Sequence, residues 1–529
     1  MRLDRRQVLG SGAALVFAPL LARAQSAPDL DVAIVGGGVS GVYAAWRLAR
    51  ERPHLRIRLF EASDRIGGRL HSVAFPEAPH LVAEAGGMRF LQAHAHVFGL
   101  IEALGLPTRL YPIDRDPNRM RLRGRNFSLK DVHAGRARFA YAVPDKDQTQ
   151  EADYFDRALA NVLPGIARMK PADWQRIRAG YRFKNRLLRD WRNRDLLLQG
   201  MTPEELALAE DASGYDDWIE DETGLDEMDY AFVHDDESKP FYTVAGGYQR
   251  LPLTLALAAE MLGAGIATRT RLVSLVANGA GHRLAVRDAS GRQTELTAAR
   301  VVLALPRRGL ERIENFPAAR SDPAFARLIA SVTPVPACKT LLLYKRPWWR
   351  DLGIVEGRSI TDLPARQFYC LGSETTRLPS EDTNGYGVLM AYSDTKSVAT
   401  WKARVAAPDP SGFTPLAGDA PLPAEVHREA QLVLGSTPLK PLAARFQDWS
   451  ADPHGGGWHY YALGHDGAAD SAAMLKPLAN RELYVCGEAY SRAQGWVEGA
   501  LERAETMLQS HFGLAAPQWL KTQAGSQHL

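Results

Sequence analysis

The chain has 529 residues, 46% hydrophobic and 24% charged, with a formal net charge of +3. Such a length exceeds one hydrophobic core and calls for two or three domains, the composition is that of a soluble globular protein, and the charge is too small to argue for nucleic acid or an anionic membrane as partner. Three widely spaced cysteines, Cys338, Cys370 and Cys486, suggest neither a disulfide framework nor a zinc site.

At the N-terminus Arg2, Arg5 and Arg6 precede an apolar stretch, Val8 to Leu21, which ends in Ala22-Arg23-Ala24. A basic head, a short apolar body and an A-x-A end describe an export signal over residues 1–24. Arg5-Arg6 followed by Gln7-Val8-Leu9 resembles a twin-arginine signal, the route for proteins already folded around a cofactor, so the expected destination is the periplasm or the medium. The apolar run falls short of the roughly 20 residues a membrane span needs, and no later segment supplies one, so no stable membrane insertion is expected.

The next unit carries the most information. Val32-Ala33-Ile34-Val35 reads as a strand, Gly36-Gly37-Gly38-Val39-Ser40-Gly41 as a G-x-G-x-x-G turn, and Val42 to Leu48 as a helix. A second strand, Arg56 to Phe60, delivers Glu61 about 20 residues after the turn, where an acid can accept ribose hydroxyls. Gly36 permits the tight turn, Gly38 clears the approach of a pyrophosphate, and Gly41 lets helix pack on strand. The helix N-terminus presents free N–H groups and positive dipole to the phosphates. This is the fingerprint of dinucleotide binding.

Farther on, residues 135–242 are rich in helix formers and arginine, with Thr202-Pro203-Glu204-Glu205 as a helix start. A basic run from Arg176 to Arg194 and an acidic one from Asp216 to Asp229 read as solvated helix faces rather than as a device for steering a charged substrate. Strands return after Gly246-Gly247-Tyr248. Arg271 to Val276 and Leu284 to Val286 flank the turn Asn278-Gly279, and Val301 to Leu305 is a buried strand closed by Pro306. Leu483 to Cys486 is a last buried strand, and the tail after Gln518 looks frayed.

Five segments in this order resemble the flavin-dependent amine oxidases, specifically the L-amino-acid oxidases. They are the glycine turn with Glu61-Ala62, continued by Arg65-Ile66-Gly67-Gly68-Arg69; Glu84 to Phe90; Ala245 to Pro252; Lys339-Thr340 through Ile360 to Pro364; and Gly487-Glu488 with Gly495-Trp496. The resemblance spans nearly the whole chain after the signal. It implies an α/β fold, α+β overall. A discontinuous Rossmann-type FAD-binding domain would occupy residues 29–75, 243–325 and 465–515. A mixed-sheet substrate domain would take 76–134 and 326–464, and a helical domain 135–242.

The resemblance also assigns roles. FAD, held non-covalently, would lie against Gly36, Gly38, Ser40, Gly41, Glu61, Ala62, Gly86, Gly87, Met88, Arg89, Gly495 and Trp496. Arg69 would offset phosphate charge, Glu488 would bind the ribityl–pyrophosphate region, and the backbone of Val273 would meet the adenine. Arg89 would take the substrate carboxylate as a bidentate guanidinium, with Tyr392 as second donor. Lys339 would hold a water beside the flavin and assist reaction with oxygen. Tyr369 and Trp496 would be aromatic walls, with Gly495 beside the substrate and Trp458 above its side chain. Some relatives carry an arginine four residues before this lysine, where Val335 stands here, and whatever depends on that arginine is in doubt.

The implied reaction moves a hydride from the substrate Cα to flavin N5, giving an imino acid that hydrolyses to a 2-oxo acid and ammonia while oxygen becomes hydrogen peroxide. The alternatives on this scaffold are an amide-forming, decarboxylating amino-acid monooxygenase and an amine or polyamine oxidase. The implied partners are an amino acid and oxygen, and family members are commonly homodimers. The acidic run would favour lysine or arginine side chains and the tryptophans aromatic ones, a choice the sequence leaves open.

Overall fold

In the computed structural model, residues 27–144, 151–216, 222–233, 240–371, 385–451 and 454–520 are described. The stretch expected to be the export signal and the last nine residues of the tail lie outside them. Among the described residues no helix is long and apolar enough to cross a membrane.

Strand Leu30–Val35 shows how the first layer forms. Val32 and Ile34 point into one core and Ala33 and Val35 into another, as the two-residue period of a strand covered on both faces requires. It runs parallel to Ile57–Phe60 on one side and to Gln293–Leu303 on the other. Gly265–Ala267 and Leu483–Val485 extend the parallel part, and the meander of Thr270–Asn278, Gly281–Asp288 and Gln293–Leu303 completes a seven-stranded sheet. Helices Val39–Glu51, Arg250–Met261 and Val497–Phe512 pack on one face through Val42, Leu255, Leu501 and Leu508, all fully buried. Neighbouring parallel strands therefore end together, delivering Gly36, Glu61, Ala304 and Gly487 to one edge. In open α/β sheets that edge is where ligands bind.

An eight-stranded sheet forms the second layer, in the order Phe413–Ala417, Ala443–Asp448, Ala337–Tyr344, Gly387–Asp394, Gln367–Leu371, Gly357–Thr361, Arg119–Leu122, Arg125–Ser128. Strands Ala337–Tyr344 and Gly387–Asp394 are buried at every residue. Leu342, Tyr344, Leu389 and Ala391 enter one core, while Leu341, Leu343, Met390 and Tyr392 enter the core nearest the first layer. Register places Lys339 opposite Tyr392, Tyr369 opposite Met390 and Arg358 opposite Tyr369, so one sheet face carries all five.

The helices of the middle segment, among them Pro171–Ile177, Pro203–Ser213 and Gly224–Val233, surround Tyr154, Trp174, Leu206 and Met228. Thr202 and Glu205 form the expected capping box. The solvated-face reading fails at Arg178, which is 5% exposed and bonded to Asp229 and Asp466. A buried guanidinium needs that compensation. Cys338, Cys370 and Cys486 are free and buried.

Candidate functional site

A cavity of about 1010 Å³ runs from the edge of the first sheet to the inner face of the second. Its nucleotide end is built from glycines with different jobs. A Cβ on Gly36, at φ +106°, would meet the Ala304 carbonyl oxygen at 2.4 Å, and one on Gly41 would meet the Gly36 oxygen at 1.9 Å. Both glycines are needed by the protein itself. Gly38 differs: a Cβ there meets nothing within 4 Å, although Gly38 lines the cavity. Nor does any side chain cap the helix that begins at Val39, and Val39 and Ser40 are also in the wall. An open glycine at an uncapped helix start fits the pyrophosphate of a dinucleotide. Glu61 receives the Gly37 N–H at 2.6 Å and the Ser63 N–H at 2.7 Å, and each oxygen keeps a lone pair for a sugar hydroxyl.

Midway along the cavity the two expected cofactor charges hold each other. Arg69 Nη1 donates to Glu488 Oε2 at 2.5 Å and to the Gly457 carbonyl at 3.1 Å, so its charge is matched within the protein rather than left for phosphate. Glu488 also receives the Gly495 N–H at 2.8 Å, the His459 N–H at 3.1 Å and His459 Nδ1 at 3.1 Å. Burial alone would raise its pKa, but Arg69 and then His459 bring it down to about 2.

The far end carries the second sheet's chemistry. Lys339, 3% exposed, donates to the carbonyls of Gly86 at 2.6 Å and Glu84 at 3.0 Å, which ties the strand to the Gly86-Gly87 loop. Burial lowers its pKa to about 7, against the pull of Glu84 and with help from Arg89. Arg89 lies in the cavity wall at 9% exposure, over the Phe241 ring at 4.5 Å, and donates to the Tyr369 hydroxyl at 3.0 Å. Trp496 stacks on the same Phe241 at 6.2 Å.

Sixteen expected positions line this cavity: Gly36, Gly38, Ser40, Glu61, Ala62, Arg69, Gly86, Gly87, Met88, Arg89, Lys339, Tyr392, Trp458, Glu488, Gly495 and Trp496. Three do not, Gly41, Val273 and Tyr369. Gly41 packs under Gly36. Val273 sits where the pairing of Thr270–Asn278 slips between Leu272 and Ser274, and its carbonyl accepts the Asn315 N–H, so Thr270, Arg271 and Leu272 line the wall instead. The two tyrosines differ: Tyr392 lines the cavity, where the expected second donor would stand, and Tyr369 does not. Tyr369, expected as a wall, is the hydroxyl on Arg89. Tyr392, expected as the second donor, stacks on Trp458 at 6.3 Å.

The sequence reading missed Tyr215, which stands edge-on to Tyr392 at 5.8 Å and to Trp458 at 6.2 Å. It also missed Arg358, in the same wall, whose Nε and Nη2 grip Asp114 at 3.0 and 3.1 Å. No local pattern announces either. An arginine inside the otherwise uncharged strand Gly357–Thr361 was the one available sign.

Against known proteins, the family described as "Flavin containing amine oxidoreductase" matches residues 39–506. Aplysianin-A of Aplysia kurodai is 25% identical over 516 residues, covering 91% of this chain and 90% of its own. An L-amino-acid oxidase of Protobothrops flavoviridis is 23% identical over 490 residues, covering 90% and 87%. A solved putrescine oxidase, redesigned in its cofactor binding, aligns over 94% of this chain and 99% of its own with a TM-score of 0.61 at 18% identity, a likeness of fold. With that family match running from the first helix to the last, the chain belongs to the flavin-containing amine oxidoreductases.

Proposed function

We propose that the chain is an FAD-dependent oxidase of L-amino acids, converting substrate, oxygen and water to a 2-oxo acid, ammonia and hydrogen peroxide. The observation that carries this reading is Arg89, a guanidinium in the cavity wall beside Lys339, Tyr392 and Trp496. FAD would be held non-covalently by the Gly36–Ser40 turn, Glu61 and the ends of the neighbouring strands. Bound there, the flavin supplies two-electron oxidation of a C–N bond.

Residues of this chain do the rest. Arg89 takes the carboxylate, replacing the water it loses. Tyr392, Trp458 and Trp496 confine the neutral amine, and Tyr215 closes the box. Lys339, with a pKa of about 7, can present either an ammonium or an amine to whatever stands before it. An amine oxidase without need of a carboxylate is the competing reading, favoured by Glu222, Asp226 and Asp229 in the wall. Yet burial, and Asp229 beside it, push the Asp226 carboxyl well up, and Asp229 is already bonded to Arg178. Arg89 and Arg358 also oppose a second cation.

Peroxide and 2-oxo acid release, measured for an amino acid and for the amine it gives on decarboxylation, tests this. The amino acid is expected to be turned over with a far higher kcat/KM than the amine. Equal turnover of the amine overturns the reading, and an amide product in place of peroxide turns it to the monooxygenase. We further propose export and a homodimer, to be checked by N-terminal sequencing of the exported protein and by light scattering.

A further inference from the structure

The hydroxyl that Arg89 touches is part of a longer chain. Tyr369 has one proton and two lone pairs. Arg89 Nη1 occupies one lone pair at 3.0 Å, and the proton goes to Gln367 Oε1 at 2.8 Å. Gln367 in turn donates its Nε2 to the Gly214 carbonyl at 2.8 Å, which fixes which end of the amide faces the tyrosine. It has no room to turn: it is fully buried, and a Cβ on Gly214, at φ +78°, would meet its Cγ at 2.8 Å. Gly214 ends the helix Pro203–Ser213 and precedes Tyr215 in the cavity wall.

We propose that Gln367 is a positioning residue for carboxylate recognition, holding the Tyr369 proton away from Arg89 so that the hydroxyl oxygen accepts from the guanidinium and fixes its place in the cavity wall. The proposal rests on the amino-acid reading above and says how that site is kept ready. Were the amide absent, the hydroxyl could turn its proton toward Arg89, two donors would face each other, and the guanidinium would lose its fixed direction. Preorganised donors lose less on binding than free ones, so the loss falls on substrates that bring a carboxylate. A simple amine makes no use of the relay.

The test is steady-state kinetics of the flavin-loaded enzyme with an L-amino acid and, separately, its decarboxylated amine. Gln367→Met should raise KM for the amino acid about tenfold, the scale of one lost buried hydrogen bond, with kcat at saturation and the amine's KM changing less than about twofold. Gln367→Leu removes the same acceptor and should give the same split if the methionine variant does not fold. In a Tyr369→Phe background neither substitution should add anything, because the effect travels through that hydroxyl. Equal losses for both substrates, or a loss that persists in Tyr369→Phe, would overturn the proposal and leave Gln367 as packing. Should the wild-type enzyme turn over the amine with a kcat/KM equal to the amino acid's, the carboxylate reading itself fails, and this proposal with it.

Discussion

Arg89 and Tyr369 meet across 3.0 Å although 280 residues separate them, and the contact joins the segment after Gly86-Gly87 to the inner face of the second sheet. Neither residue belongs to the nucleotide-binding turn. In the proposed reading, Arg89 with Tyr369 behind it is a polar feature of the cavity that a carboxylate-bearing substrate uses and a simple amine does not.

The glycines of the turn separate folding from cofactor binding. Gly41→Ala drives a Cβ onto the Gly36 carbonyl oxygen at 1.9 Å and should destabilise the fold itself, by a few kcal/mol or more. Gly38→Ala meets nothing of the protein and should leave the melting temperature of the flavin-free chain within a degree or two while lowering flavin affinity. Thermal melts of apoprotein, with flavin absorbance per chain, check both.

Glu488 should matter to stability and show it in acid. Its carboxyl is held at about 2 from an ordinary 4.5, so its contribution is complete above pH 4.5 and is lost as the pH falls toward 2. Glu488→Gln should cost about 3–5 kcal/mol at neutral pH, because Arg69 loses its buried partner, and the gap to wild type should close in acid. Denaturant titrations across that range measure it.

Lys339 runs the other way. Its folded pKa, about 7, lies below the ordinary 10.5, so burial of the ammonium costs most below pH 7, and stability rises as the pH climbs from 7 toward 10.5. Lys339→Met should therefore raise the melting temperature more at about pH 6 than at about pH 10. The same substitution should slow the oxygen-dependent half of turnover far more than the anaerobic half, which stopped-flow absorbance resolves.

Much of the cofactor side was legible because its signals are local. The turn, the strand before it and Glu61 lie within one stretch of chain, and each glycine's duty follows from the space around a single residue. The substrate side is assembled across strands. Tyr369 and Tyr392 look alike in sequence, each inside an apolar strand, and only the register of Gln367–Leu371 against Gly387–Asp394 decides which reaches Arg89 and which faces Trp458. Beside Val273, a one-residue slip in pairing puts Leu272 rather than Val273 in the cavity wall, and periodicity does not show where such a slip falls. Arg178 shows the limit of reading charge runs as solvated faces, since its partners Asp229 and Asp466 come from distant segments.

Arg89→Ala is the most direct trial of the account, assayed for an L-amino acid and for its decarboxylated amine with flavin content confirmed. The expected result is a flavin-loaded enzyme whose kcat/KM for the amino acid falls by about 2–5 kcal/mol in transition-state terms, with the amine little changed. Undiminished turnover of the amino acid would contradict it.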